Sequence, residues 1–455
     1  MRSANLAADT WLDAFFAHYY ARRPVNATFI GVHDHDAELP DCSPSGLATT
    51  AREMRDLRER LTSLPLAELD PIRQIDLTLA DGFLDLQLWE DGAPQFHRGN
   101  PSYYTGEAVF SVISLFQRDS EPLADRVKAA IARMRLIPEF LAQGRHNVEA
   151  APTAWTERAI REARAGETYF GDGLRILAAA RGITDPAFRA AADIAFDAVS
   201  SHRAWLEGDL MQRSSDEYAA GREAFDRYLL RGHCLPPGRD AAWVEEYARQ
   251  SLADARARMI AHAQTIDPAQ TWQQLLARLP DNHPTQETYY RAYADIWQEA
   301  KQAAEAHDLV TWPDFPIEYV PIPPSDREAA PGLYYLFYRC PPPFGRPETQ
   351  RYLVTPVEPE MPPEEQERRL RAANFATIKL NHVVHHGGLG HHVQNYNAFR
   401  APSRIGQIAG VDCASRVALF CAGTLVEGWA CYATELMEEI DYLAPLEILS
   451  ERQTR

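Results

Sequence analysis

Over residues 6 to 310, apolar positions recur at three-to-four-residue spacing, with Ala, Arg, Glu and Leu filling the intervals and turn signals between the runs. That period predicts amphipathic helices rather than strands, so the chain reads as mainly α. Thr184-Asp185-Pro186 is the clearest helix start: Asp185 is a cap residue and Pro186 fits the first helical position. After it, Phe188, Ala191, Ala195 and Val199 form one stripe, which is read as core. Similar runs cover 122–143, 240–264 and 285–306, with Gly144, Pro280 and Pro313 as nearby breakers.

Between Pro316 and Pro363 the texture changes, with thirteen prolines in forty-eight residues, and helix is excluded over most of that stretch. Gly332-Leu-Tyr-Tyr-Leu-Phe-Tyr338 and Arg351-Tyr-Leu-Val-Thr355 are aromatic and β-branched, and they predict short strands beside ordered loops. Helix resumes near Pro363, and another helix carries Leu425 to Ile440. The expected organisation is a helical body over 1–315 followed by a Pro-rich strand and loop segment with further helices over 316–455, packed as one unit.

The 455 residues and 45% apolar content are enough to fill large cores. A formal net charge of −18 argues against a nucleic-acid groove or an anionic membrane as partner, because both reward clustered Lys and Arg. The six cysteines are scattered with no CxxC pair, as expected of reduced thiols. With neither a secretory-type start nor a long apolar window, the expected location is the cytoplasm.

Five of the fifteen histidines, His382, His385, His386, His391 and His392, fall within eleven residues around Gly387, Gly388 and Gly390. Neutral imidazole is a common transition-metal ligand, and the glycines allow the chain to fold back, so the run predicts a metal site. His382 and His386 are four apart and share a helical face if the segment is helical, but Val383 follows His382, so this pair is not an HExxH motif. Farther on, Glu427 is the lone carboxylate of Thr424-Leu-Val-Glu-Gly-Trp-Ala-Cys-Tyr-Ala433. A carboxylate in such surroundings is expected to be buried and to need a cation or hydrogen bonds.

The chain resembles the bacterial "domain of unknown function 885" family, relatives of the gluzincin-type metallopeptidases. The family's motif H-E-x-x-P-G-H-H-x-Q corresponds to His385-His386-Gly387-Gly388-Leu389-Gly390-His391-His392-Val393-Gln394, and its E-G-W-A-x-Y-A to Glu427-Gly428-Trp429-Ala430-Cys431-Tyr432-Ala433. The segments from Asn26 to Asp36 and from Tyr104 to Phe110 also look like the family's early segments. The resemblance implies a large helical gluzincin-like body with a few short strands near the metal. It gives His385, one of His391 and His392, and Glu427 the ligand roles, with zinc as the expected ion and iron or manganese as alternatives. The implied reaction is hydrolysis of a small peptide or an amide-like substrate.

Position 386 departs from that pattern, because His386 stands where the family has the glutamate that activates water. Imidazole titrates near neutrality and is read here as the general base. The alternatives are that it adds a further ligand and suits other non-haem metal chemistry, or that it marks a non-catalytic binding or partner subunit. Leu389 in place of proline is a milder departure. Family members usually continue well beyond position 455, which leaves three readings: the chain is a fragment, a second chain supplies the C-terminal segment, or that segment is dispensable. Arg404 and Arg416 are weaker candidates, either as partners of Glu427 or as bidentate binders of a substrate carboxylate or phosphate. His33-Asp34-His35-Asp36 reads as a solvated loop, Tyr103-Tyr104 and Tyr334-Tyr335 as packing pairs, and Cys413, Cys421 and Cys431 as inert thiols.

Overall fold

Caps written into the sequence start many of the helices. Ser43, Asp70, Asn100 and Asp185 each accept a bond from a backbone N–H of the first turn, and each is followed by proline. Thr271 and Gln274 form a reciprocal capping box. The computed structural model describes residues 2–93, 96–333, 342–345, 348–409 and 423–454.

The first nine helices build the N-terminal body: α1 Arg2–Arg22, α2 Pro24–Ile30, α3 Pro44–Thr62, α4 Pro71–Gly92, α5 Pro101–Phe116, α6 Leu123–Asn147, α7 Thr153–Thr168, α8 Leu174–Arg181 and α9 Pro186–Gly208. The stripe Phe188, Ala191, Ala195 and Val199 is buried in it, as expected. Gly144 is not a breaker. Helix α6 runs through it to Asn147, because the missing side chain lets the Tyr104 ring lie against the helix, where a Cβ would come within 2.6 Å of that ring.

The chain continues through α10 Arg222–Arg227, α11 Ala241–Ile266, α12 Trp272–Leu276 and α13 Tyr289–Ala306, then β1 Ile317–Pro321 and β2 Gln350–Val354. These two strands are parallel, with Ile317 opposite Gln350, and they are the only paired strands among the described residues. The strand expected at 351–355 is thus present, while positions 334–338 lie outside the described residues. The last helices are α14 Pro363–Ala372, α15 Phe375–Thr377, α16 His391–Phe399, α17 Arg404–Ala409, α18 Gly423–Glu439 and α19 Pro445–Thr454. The fold is mainly α. No described helix is long and apolar enough to cross a membrane.

Burial gathers the apolar side chains into separate cores. One core joins the N-terminal body to Ile322, Leu333, Phe399, Ile405 and Ile408. A second core unites Tyr293, Ile296 and Ala300 of α13 with Ile317, Tyr352, Val354, Val383, Leu389, Ala433 and Met437. Helix α13 therefore belongs with the histidine segment. A buried carboxylate fastens α17 to the N-terminal body within the first core: Asp76 of α4 accepts from Ser403 Oγ at 2.6 Å and from the Arg404 and Ile405 N–H groups at 3.0 and 2.9 Å, capping α17.

Candidate metal centre

Asn374 starts the histidine segment by accepting the Thr377 N–H at 3.1 Å. The chain then winds as a π-helix over Ile378–His385, and the His386 N–H donates to the Asn381 carbonyl five residues back at 2.9 Å. Such turns recur at functional sites. Ile378, Leu380, Val383 and Val384 pack this helix into the second core.

The glycine turn that follows is dictated by close approach. A Cβ at Gly388 would meet the Trp297 ring at 1.9 Å, and one at Gly390 would meet the His385 carbonyl oxygen at 1.7 Å. The backbone folds back over the end of the π-helix, where the Gly390 N–H reaches the Val384 carbonyl at 2.7 Å, and α16 begins at His391.

This return brings His385, His386 and His391 together, with one ring nitrogen of each inside a group spanning 4.8 Å. Glu427 of α18 faces the same group, with Oε2 3.2 Å from His385 Nε2 and Oε1 3.6 Å from His391 Nε2. His386 Nδ1 donates to the Asn381 carbonyl at 3.0 Å, which leaves Nε2 as its lone-pair nitrogen. The Trp429 indole N–H lies 3.2 and 3.1 Å from the Leu389 and Gly390 carbonyls and pins α18 to the turn.

The electrostatics suit cation ligation. Burial pushes His391 down to about 3 and lowers His386, so both imidazoles are neutral near pH 7. The hydrogen bond from His385 is the main reason the Glu427 carboxyl is depressed, so it is ionised there. Neutral imidazoles and one carboxylate are a donor set that fits zinc, iron or manganese.

Several expectations are corrected by this geometry. His392 is not part of the group: its Nε2 donates to the Phe315 carbonyl at 3.2 Å and its ring packs edge-on against Phe315. His382 shares no face with His386 towards the site. Its Nδ1 lies 2.6 Å from the Tyr352 hydroxyl, and its ring packs among Tyr293 and Tyr352. Glu427 is not buried. Its side chain is 61% exposed, because the apolar neighbours that suggested burial include Leu425, itself 78% exposed.

Arg404 is committed elsewhere, to Asp13 at 2.9 Å and over the Phe16 ring, so it does not partner Glu427. Arg416, Tyr334, Tyr335, Cys413 and Cys421 lie outside the described residues. His33 pairs with Asp36 and His35 with Glu38 in a turn, so the segment is a loop, but it is only partly solvated: the His33 and Asp36 side chains are 22% and 14% exposed. Asn381 and Trp429 escaped the sequence reading. Trp429 had a signal, lying two residues after Glu427, whereas the Asn381 contribution is a backbone carbonyl and leaves none.

No characterised protein in the curated collection matches the chain. Among solved structures, a candidate lipoprotein of unknown function from Shewanella oneidensis superposes with a TM-score of 0.71 at 21% identity, covering 98% of this chain and 80% of that one, which shows a shared fold. The family of bacterial proteins of unknown function DUF885 matches residues 24–453, with the histidine turn and the Glu427 helix both inside the match, and the chain belongs to that family.

Proposed function

We propose that the protein is a metal-dependent hydrolase of a peptide or amide-like bond, with zinc as its ion, working in the manner of the gluzincin-type enzymes it resembles. The observation that carries this reading is the spacing of His385, His391 and Glu427. Their N···O separations of 3.2 and 3.6 Å are close to the roughly 3.3 Å between neighbouring ligands of a tetrahedral zinc. These three residues would hold the ion, and the exposed carboxylate leaves the site open to solvent.

When bound, such an ion supplies Lewis acidity to a carbonyl and lowers the pKa of water. His386 takes the proton at Nε2. Its Nδ1–H is committed to Asn381, and burial holds its pKa below the usual 6.5, so the basic form dominates at neutral pH. Trp429 keeps Glu427 and the turn in register. A second reading has its own support. The convergence of all three imidazoles makes His386 a further ligand, and three histidines with one carboxylate also suit non-haem iron or manganese.

The test is elemental analysis of protein purified without chelator or metal resin, together with turnover on a panel of peptides and amides. The proposal expects zinc in wild type and its loss in His385→Ala. His386→Ala retains zinc while turnover falls by about 10²–10⁴. Because the neutral imidazole is the active form, activity should fall on acidification only below pH 6.5. Iron or manganese with oxygen-dependent turnover selects the second reading, and metal-free wild type sinks both.

A further inference from the structure

A cavity of about 280 Å³ lies beside the π-helix, lined by Tyr289 and Tyr293 of α13, by Arg327, by Arg368 and Arg369 of α14, and by His382. Burial pushes the His382 imidazole down to about 4, so it is neutral, and the charged groups of the described lining are three guanidiniums with no carboxylate. The acids that accompany them are not part of the described lining. Glu365 accepts from both Arg368 and Arg369, at 2.7 and 2.6 Å, and Glu358 pairs with Arg327 at 3.1 Å while accepting the Tyr290 hydroxyl at 2.9 Å.

The arginines are thereby oriented without being used up. Arg369 Nη1 is fixed on the Pro356 carbonyl at 2.7 Å, and Arg327 Nε, buried, finds no acceptor among the described residues. Guanidiniums held in place with donors to spare are the arrangement that recognises planar or tetrahedral oxyanions. We infer that this cavity binds a small oxyanion-bearing molecule, a carboxylate or a phosphate, at a site separate from the histidine group. The inference stands apart from the hydrolase reading, since it uses none of His385, His386, His391 or Glu427.

The test is calorimetric titration of the full chain with inorganic phosphate and, separately, with succinate, in chloride buffer. Saturable binding of one of them is expected, weakened at least about tenfold in Arg327→Gln and in the more exposed Arg368→Gln, as loss of a charge-assisted partner requires. Which anion binds identifies the source as phosphate or carboxylate. The His385→Ala variant should bind the anion as wild type does. Binding that disappears in His385→Ala places the anion at the histidine group and overturns the inference, as does an absence of binding by either anion or wild-type affinity in both arginine variants.

Discussion

His391 and His392 are neighbours in sequence, yet the first turn of α16 sends them to opposite duties. His391 Nε2 faces Glu427, while His392 Nε2 is spent on the Phe315 carbonyl and its pKa sits at about 4, mainly through burial. The two alanine variants should therefore separate. His391→Ala should release the metal with a modest change in thermal stability. His392→Ala should keep the metal but lose about 2–3 kcal/mol of stability, from a vacated buried ring and an orphaned carbonyl. Metal content by elemental analysis and chemical denaturation on the same preparations decide it, and metal loss in His392→Ala alone would reverse the assignment.

At the scale of elements, the site depends on a π-helix, a glycine turn and α18 being clamped together. A Cβ at Gly390 would lie 1.7 Å from a backbone oxygen, an atom that no flexible side chain can move aside, so Gly390→Ala must displace the turn and is expected to abolish metal retention. Trp429→Phe is the gentler probe. It keeps most of the packing but removes the N–H shared by the Leu389 and Gly390 carbonyls, and metal affinity measured by chelator competition should fall about 10–100-fold with the fold intact. One helix start was legible where a cap coincided with a periodic stripe, at Asp185-Pro186, while the like caps at Ser43, Asp70 and Asn100 were not read. The second strand was legible too, where β-branched and aromatic residues follow one another. The π-winding was not, because hydrophobic spacing does not distinguish an i→i+5 turn from an α-helical one. The fates of His382 and His392 were hidden for a similar reason: Tyr352 and the Phe315 carbonyl, which claim them, are distant in sequence.

At the scale of the whole molecule, Asp76 and α17 fasten the chain beyond the histidine segment to the first core, a body whose own stability responds to pH. His202 of α9 lies inside the first core against Trp205, with neither ring nitrogen finding a partner among the described residues, and burial pushes it down to about 3. The unfolded chain binds a proton at this group below pH 6.5 and the folded chain does not until about pH 3. Stability is therefore lost as pH falls through that window, by on the order of 4 kcal/mol at its lower end. Glu90 of α4 acts in the opposite sense. Burial raises it from 4.5 to about 7, so the folded state keeps its proton longer and stability is lost as pH rises across that interval. In urea midpoints measured from pH 4.5 to 8, His202→Leu should flatten the acid limb and Glu90→Gln the neutral one. An acid limb unchanged in His202→Leu would mean that other buried histidines, such as His18, held at about 4, govern acid unfolding instead.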